Sequence, residues 1–199
     1  GPDLRIDDPQ GASYSAGSKE GTPMKPLDLG LMELRAALDA RTLSSRELTA
    51  AALERIDALN PSRNAIVACV DADAALTAAD SRDQTLATAA KDRDAASLRR
   101  RMLLGIPQAT KDTTASRDIV TTWGSPLHAG FLPPADHVVV ARAREAGAVF
   151  LGKTNVPEFT LQGYTDNALH GATRNPWDLA LTPGGSSGGA ACAVACGIG

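Results

Sequence analysis

The chain has 199 residues, of which 43% are hydrophobic and 22% charged, and its formal net charge is −3. These values are typical of a globular domain or part of one, and they exclude disordered, collagen-like and mucin-like proteins. Because 20 Lys and Arg residues face 23 Asp and Glu residues, no basic excess is left to neutralise phosphates, and no nucleic-acid partner is expected. The run Arg99-Arg100-Arg101 is therefore interpreted as a solvated loop.

The cysteine pattern and the N-terminus favour a cytoplasmic location. Three cysteines, an odd number without zinc-site spacing, are present: Cys69, Cys192 and Cys196. Nothing at the N-terminus has the form of a signal peptide, and no apolar stretch reaches the roughly 18 to 20 residues that a membrane span needs. The prediction is a protein of a reducing compartment that does not associate with membranes.

The first 23 residues differ from the rest of the chain. They are rich in Gly, Ser and Asp, contain few apolar residues and show no periodicity. We interpret residues 1–23 as a disordered leader or a cloning remnant, and we expect the folded part to cover residues 24–199.

Three helices are predicted before residue 100. Leucines recur at helical spacing in the first of them, at Leu31, Leu34 and Leu38. The capping box Ser44-Ser45-Arg46-Glu47 opens a second helix, which Asn60-Pro61 is expected to stop. A third helix is predicted from Asp71 to about Ala90, with a charged connector from Lys91 to Arg101. Together they are interpreted as a helical cap on a core.

After the connector the periodicity changes. The apolar run Met102–Ile106 predicts a short buried strand that ends in a turn, with Lys111 close to that end. Asp136 is expected to cap a helix that ends at Glu145, and the apolar run 148–151 predicts a second buried strand. Strands that alternate with helices predict an α/β protein with a largely parallel or mixed sheet and helices on its faces.

A glycine- and serine-rich loop, Pro183 to Gly189, precedes a helix of small residues. Its four glycines allow close approach of the backbone, and the helix start aims free N–H groups at whatever lies there. The loop is compatible with phosphate binding, with an acyl-transfer site or with a tight structural turn. It lacks the Gly-Lys-Ser/Thr ending of a P-loop and the glycine spacing of a dinucleotide-binding motif.

Lys111 follows an apolar run, so it could lie at the edge of a buried site where desolvation lowers its pKa and makes it a usable base. A salt bridge to Asp112 is the alternative that the local sequence favours. No metal site is expected, because Cys192 and Cys196 lack further ligands and are interpreted as small buried hydrophobic residues. Surface or hydrogen-bonded positions are expected for all three histidines, His128, His137 and His170.

Four segments, in this order, resemble the successive blocks of the amidase signature family. They are Gly105–Asp112, Ala146–Asn155, Gly171–Asp178 and the Pro183–Gly189 loop. The similarity extends from about Leu31 to Gly199 and includes the N-terminal pair of helices. It implies the fold of that family: α/β, with a mixed twisted sheet core covered by helices and preceded by N-terminal helices.

The resemblance also implies a Ser-Ser-Lys triad without a metal or an organic cofactor. Lys111 is then the general base, and Ser186, next to a cis peptide bond, relays the proton from a nucleophilic serine. In the family the nucleophile lies roughly two dozen residues beyond the loop serine, near position 210 here, so the chain is expected to be a truncated N-terminal part of one domain. Candidate substrate-binding residues are Gly185, Thr160 and Gln162.

An amidohydrolase that cleaves a carboxamide C–N bond through an acyl-serine intermediate is the function this predicts. An alternative with the same chemistry is the A subunit of a glutamine-dependent aminoacyl-tRNA amidotransferase. An alternative of another class is a non-catalytic remnant or binding module. The expected partners are a small-molecule amide substrate and either a second copy of the chain or the other subunits of an amidotransferase.

Overall fold

The structure is a computed structural model that describes residues 26–92 and 102–198. The leader at 1–23 and the run Arg99–Arg101 lie outside the described residues. A short 3₁₀ turn, Pro26–Asp28, opens the described part.

Three helices form within residues 26–92, as predicted. Helix α1 spans Leu31–Ala40, α2 spans Ser45–Arg63 and α3 spans Ala72–Asp92. The capping box is confirmed: the Ser44 hydroxyl accepts from the Glu47 amide at 3.1 Å, and the Glu47 carboxylate accepts from the Ser44 amide at 2.8 Å. These two bonds satisfy main-chain groups that the first turn of α2 would leave unpaired.

The prediction that Asn60-Pro61 stops α2 is wrong. Pro61 lies inside the helix, which continues to Arg63. A proline so close to the end interrupts only the final turn, because its missing N–H removes a single helical bond. The helix ends at Asn64, whose φ of 52° is left-handed and whose amide donates to the Asn60 carbonyl at 2.7 Å.

A three-stranded sheet lies behind these helices. Strand β1 spans Ile66–Cys69, β2 spans Pro107–Lys111 and β3 spans Val149–Thr154, in the spatial order β1-β3-β2. Strand β1 runs antiparallel to β3, whereas β2 runs parallel to it. The sheet is therefore mixed, as predicted, although β1 itself was not predicted.

The apolar run Met102–Ile106 is not the strand it was predicted to be. Residues 102–105 form a turn, and the strand begins at Pro107. Gly105 has a φ of 80°, which breaks an extended chain. The run is apolar because Leu104 and Ile106 pack against the N-terminal helices rather than within the sheet.

The connection from β2 to β3 contains helix α4, Val138–Glu145. Asp136 does not cap it, contrary to the prediction. The cap is His137, whose Nδ1 accepts from the Val139 amide at 3.3 Å. The Asp136 carboxylate instead accepts from Nε of Arg144, in the last turn of α4, and from the Arg117 amide, both at 2.9 Å.

Strand β3 is buried on both faces. On one face, Leu151 packs with Ile56 of α2 and with Cys192 of helix α5, which spans Gly188–Ala195. On the other face, Phe150 packs with Val140 of α4. Helices thus cover both sides of the sheet, which confirms the α/β class.

Within residues 26–92 and 102–198, no helix is long and apolar enough to cross a membrane. In the same residues, no cluster of three or more His, Cys, Asp or Glu side chains is arranged to hold a metal ion.

Candidate active site

Lys111 is the last residue of β2, and its register partner on the parallel strand β3 is Thr154. Because parallel strands end at the same edge of a sheet, both strands deliver their following loops to one place. The Thr154 side chain is buried there, and its hydroxyl has no hydrogen-bond partner among the residues that the structure describes.

The glycine- and serine-rich loop reaches the same edge. The peptide bond between Gly185 and Ser186 is cis, as the resemblance implies. Gly185 passes so close to Tyr164 that a Cβ atom there would lie 2.8 Å from main-chain atoms of that residue. Glycine is therefore required at this position for the loop to lie against its neighbour.

Lys111 contacts both serines of the loop. Its Nζ lies 2.8 Å from Ser186 Oγ and 2.8 Å from Ser187 Oγ. These residues are 75 and 76 positions apart along the chain, so the fold, and not local sequence, brings them together.

The expected alternative, a salt bridge between Lys111 and Asp112, does not form within the described residues. The buried Asp112 carboxylate is occupied by Thr122: Oδ1 accepts from the Thr122 amide at 3.0 Å, and Oδ2 accepts from its hydroxyl. Asp112 is the first residue after β2, and its carboxylate oxygens are already bonded to Thr122.

Burial lowers the pKa of Lys111 below its ordinary value, because removing an ammonium from water favours the neutral amine. A neutral amine in contact with a serine hydroxyl can take up that hydroxyl's proton. The arrangement can therefore pass a proton between Lys111 and Ser186.

A second lysine, Lys153 on β3, was not singled out by sequence reasoning. It has no exposed surface, and burial lowers its pKa to about 8. Its amine donates to Ser116 Oγ at 2.8 Å and to the Thr114 carbonyl, which ties down the segment that follows Lys111. The sequence signal that could have identified Lys153 is a lysine within an otherwise apolar predicted strand.

Asn155 is a further residue that prediction missed. Its side chain has no exposed surface and donates to the Gly171 carbonyl and to Thr173 Oγ1, both at 3.0 Å. Its own carbonyl oxygen accepts from Asn167 Nδ2 at 2.8 Å. The side chain thereby joins the end of β3 to the segment that leads into the serine loop.

His137, His170 and the two helical cysteines occupy the kinds of positions expected of them, but His128 does not, because its buried Nδ1 has no hydrogen-bond partner among the described residues. His170 Nε2 lies 3.0 Å from Thr122 Oγ1, and His137 caps α4. His128 packs edge-on against Trp123. The two helical cysteines, Cys192 and Cys196, are buried and form no disulfide.

The three candidate substrate-binding residues are placed differently. Gly185 adjoins Ser186 in the loop. Thr160 is half-buried with a φ of 60°, and Gln162 is exposed. Among residues 26–92 and 102–198, no hydrogen bond links either side chain to Lys111 or Ser186.

An α/β sheet whose edge holds a lysine against two loop serines suits acyl transfer. Comparison with known proteins identifies the family: the model described as Amidase matches residues 47–199. The chain belongs to the amidase signature family.

Among its relatives is the A subunit of the Glutamyl-tRNA(Gln) amidotransferase of Acidothermus cellulolyticus, 48% identical over 164 residues, a match that covers 82% of this chain and 31% of that protein. The peptide amidase from Stenotrophomonas maltophilia is 36% identical with a TM-score of 0.70, covering 84% of this chain and 34% of that one. Fatty acid amide hydrolase is 27% identical with a TM-score of 0.75, and the match covers 89% of this chain and 30% of that one. The chain spans about a third of the length of these proteins.

Proposed function

We propose that the protein carrying this chain is an amidohydrolase that cleaves a carboxamide C–N bond through an acyl-serine intermediate. One observation carries the proposal: the Lys111 amine lies 2.8 Å from Ser186 Oγ in the serine loop. Membership of a family that includes a peptide amidase supports the choice of an amide as substrate.

In this proposal Lys111 is the general base and Ser186 the proton relay. Neutral Lys111 takes the proton of Ser186, and Ser186 takes the proton of a nucleophilic serine as that oxygen bonds to the amide carbon. When the C–N bond breaks, Ser186 gives a proton to the leaving amine and regains one from the Lys111 ammonium. Water then releases the acyl group by the same path.

The nucleophile is proposed to lie near position 210, outside this chain. Ser187 has a supporting part, because its hydroxyl holds the same amine at 2.8 Å. Gly185, Thr160 and Gln162 are proposed to border the substrate, since they lie in the serine loop and in the segment that packs against it. No cofactor has a part in these steps.

A second candidate, the A subunit of a glutamine-dependent amidotransferase, is favoured by the 48% identity to the A subunit from Acidothermus cellulolyticus. The same proton path would then release ammonia from glutamine, and the protein would act with partner subunits. Glutaminase activity together with co-purifying subunits would favour this candidate over a free-standing amidase.

The test is amide hydrolysis by a polypeptide extended beyond Gly199, assayed on primary carboxamides that include L-glutamine. Lys111→Ala and Ser186→Ala should each lower kcat by several orders of magnitude, the scale for loss of an acyl-transfer triad residue. The matched control is Ser62→Ala, an exposed serine at the end of α2, which should leave kcat unchanged. Full activity in Lys111→Ala would refute the proposal.

A further inference from the structure

Thr165 lies beneath the serine loop and is almost fully buried, with 1% of its surface exposed. Its hydroxyl makes two hydrogen bonds, both to the loop. It donates to the Gly184 carbonyl at 2.8 Å and accepts from the Gly188 amide at 3.0 Å. One hydroxyl thus bridges a group two residues before Ser186 and a group two residues after it.

The second of these bonds gives a partner to the first amide of α5. Ser187 is the N-cap of α5, yet its side chain makes no capping hydrogen bond. The first amides of the helix are satisfied from outside: Gly188 N donates to Thr165, and Gly189 N donates to the Asn155 carbonyl at 3.3 Å. A serine at an N-cap normally uses its side-chain oxygen to accept from the amide of the second or third helical residue. Here the Ser187 oxygen is left for Lys111.

The main chain of Thr165 is itself anchored. Its carbonyl accepts from the Thr173 amide at 2.9 Å, and the Thr173 hydroxyl donates to the Asn64 carbonyl at 2.7 Å. A Cβ atom at Gly188 would lie 2.3 Å from Thr165 Oγ1, so the hydroxyl sits in close contact with the loop. Thr165 is therefore anchored through its main chain and lies in close contact with the loop.

We propose that Thr165 is a positioning residue whose hydroxyl holds the two ends of the serine loop and so sets Ser186 and Ser187 against Lys111. The catalytic consequence of this proposal rests on the proposed function. The two hydrogen bonds that join Thr165 to Gly184 and Gly188, called the clamp below, are a property of the fold. Thr165 acts through the loop and does not touch the reacting atoms. A misplacement of about 1 Å can cost on the order of 100-fold in rate, so a single clamp of this kind is able to control kcat.

The test compares Thr165→Val, which keeps the shape but removes the hydroxyl, with Thr165→Ser, which keeps the hydroxyl. In a polypeptide extended beyond Gly199, Thr165→Val should lower kcat about 10- to 100-fold with little change in KM. Thr165→Ser should keep the kcat of the unchanged protein. Hydrogen exchange across 183–190 should accelerate in Thr165→Val and stay slow in Thr165→Ser. Thr88→Val, at an exposed site on α3, is the matched control.

The exchange measurement separates this proposal from the proposed function. If the unchanged protein hydrolyses no amide, the proposed function fails, and exchange alone decides on the clamp. Unchanged exchange in Thr165→Val overturns the clamp, whatever happens to kcat. Equal losses in Thr165→Val and Thr165→Ser also overturn it, because side-chain shape rather than the hydroxyl would then be the cause.

Discussion

Lys153 Nζ and Ser116 Oγ lie 2.8 Å apart, and neither residue has any exposed surface. Burial lowers the pKa of Lys153 to about 8, from an ordinary value of 10.5. Nearby carboxylates oppose this shift and one guanidinium adds to it; they belong to Asp112, Asp118, Asp136 and Arg144. The lysine is therefore a buried group that changes charge within an accessible pH range.

This buried amine predicts a pH dependence of stability. Because the pKa is lower in the folded protein, the unfolded chain binds more protons between about pH 8 and 10.5, and the free energy of unfolding rises with pH across this window. Lys153→Met should flatten that rise by up to about 1.4 kcal/mol per pH unit, as measured by urea unfolding at several pH values. Arg142→Met, at an exposed site on α4, should leave the slope unchanged. An unaltered slope in Lys153→Met would contradict the prediction.

The lowered pKa of Lys111 predicts the pH profile of amide hydrolysis. Since the base must be neutral, kcat/KM should rise with pH as the ammonium loses its proton. The midpoint of that rise should lie below the ordinary lysine value of 10.5, because burial lowers the pKa. Initial rates over a pH series measure it. A midpoint at or above 10.5 would show that Lys111 is not the base with the environment described.

The position of the nucleophile can be tested by labelling with a fluorophosphonate. Such a probe should modify a polypeptide extended beyond Gly199 at a serine near position 210, since Ser186 and Ser187 are both hydrogen-bonded to Lys111 as relay and support. Peptide mass spectrometry of the labelled protein locates the site. A label on Ser186 or Ser187 would reverse the assignment of roles, and no label at all would favour the non-catalytic alternative.

Gly185→Ala should disturb the site through backbone crowding. The added Cβ would lie 2.8 Å from the main chain of Tyr164, so the loop has to shift, and overpacking of this kind costs about 1 to 3 kcal/mol. We expect a lower melting temperature and a fall in kcat. Gly130→Ala is the matched control, because a Cβ atom there meets nothing within 4 Å. Equal melting temperatures and kcat values in the two variants would argue against the close approach of Gly185 to Tyr164.

The local sequence predicts the helices well and the site poorly. Leucine spacing and the Ser44 capping box are local signals, and α1 to α3 follow them. Strand β1 has only four residues, too few for a clear alternation. The contact between Lys111 and Ser186 spans 75 residues, so local reasoning favoured Asp112 as the partner, and only the family resemblance pointed to the serine. Thr165 carries no motif, because its role depends on where the loop passes.

Asn64, which ends α2, also links the site to the N-terminal helices through contacts of long sequence separation. Its side chain donates to the His170 carbonyl, 106 residues away, at 2.7 Å, and its carbonyl accepts from Thr173 at 2.7 Å. Contacts of such long sequence separation cost loop-closure entropy before they stabilise anything, and they slow folding. The serine loop is anchored through Thr165 and Thr173, so its support includes the C-terminal end of α2. Loss of the contacts at the end of α2 would therefore remove part of the support of the serine loop.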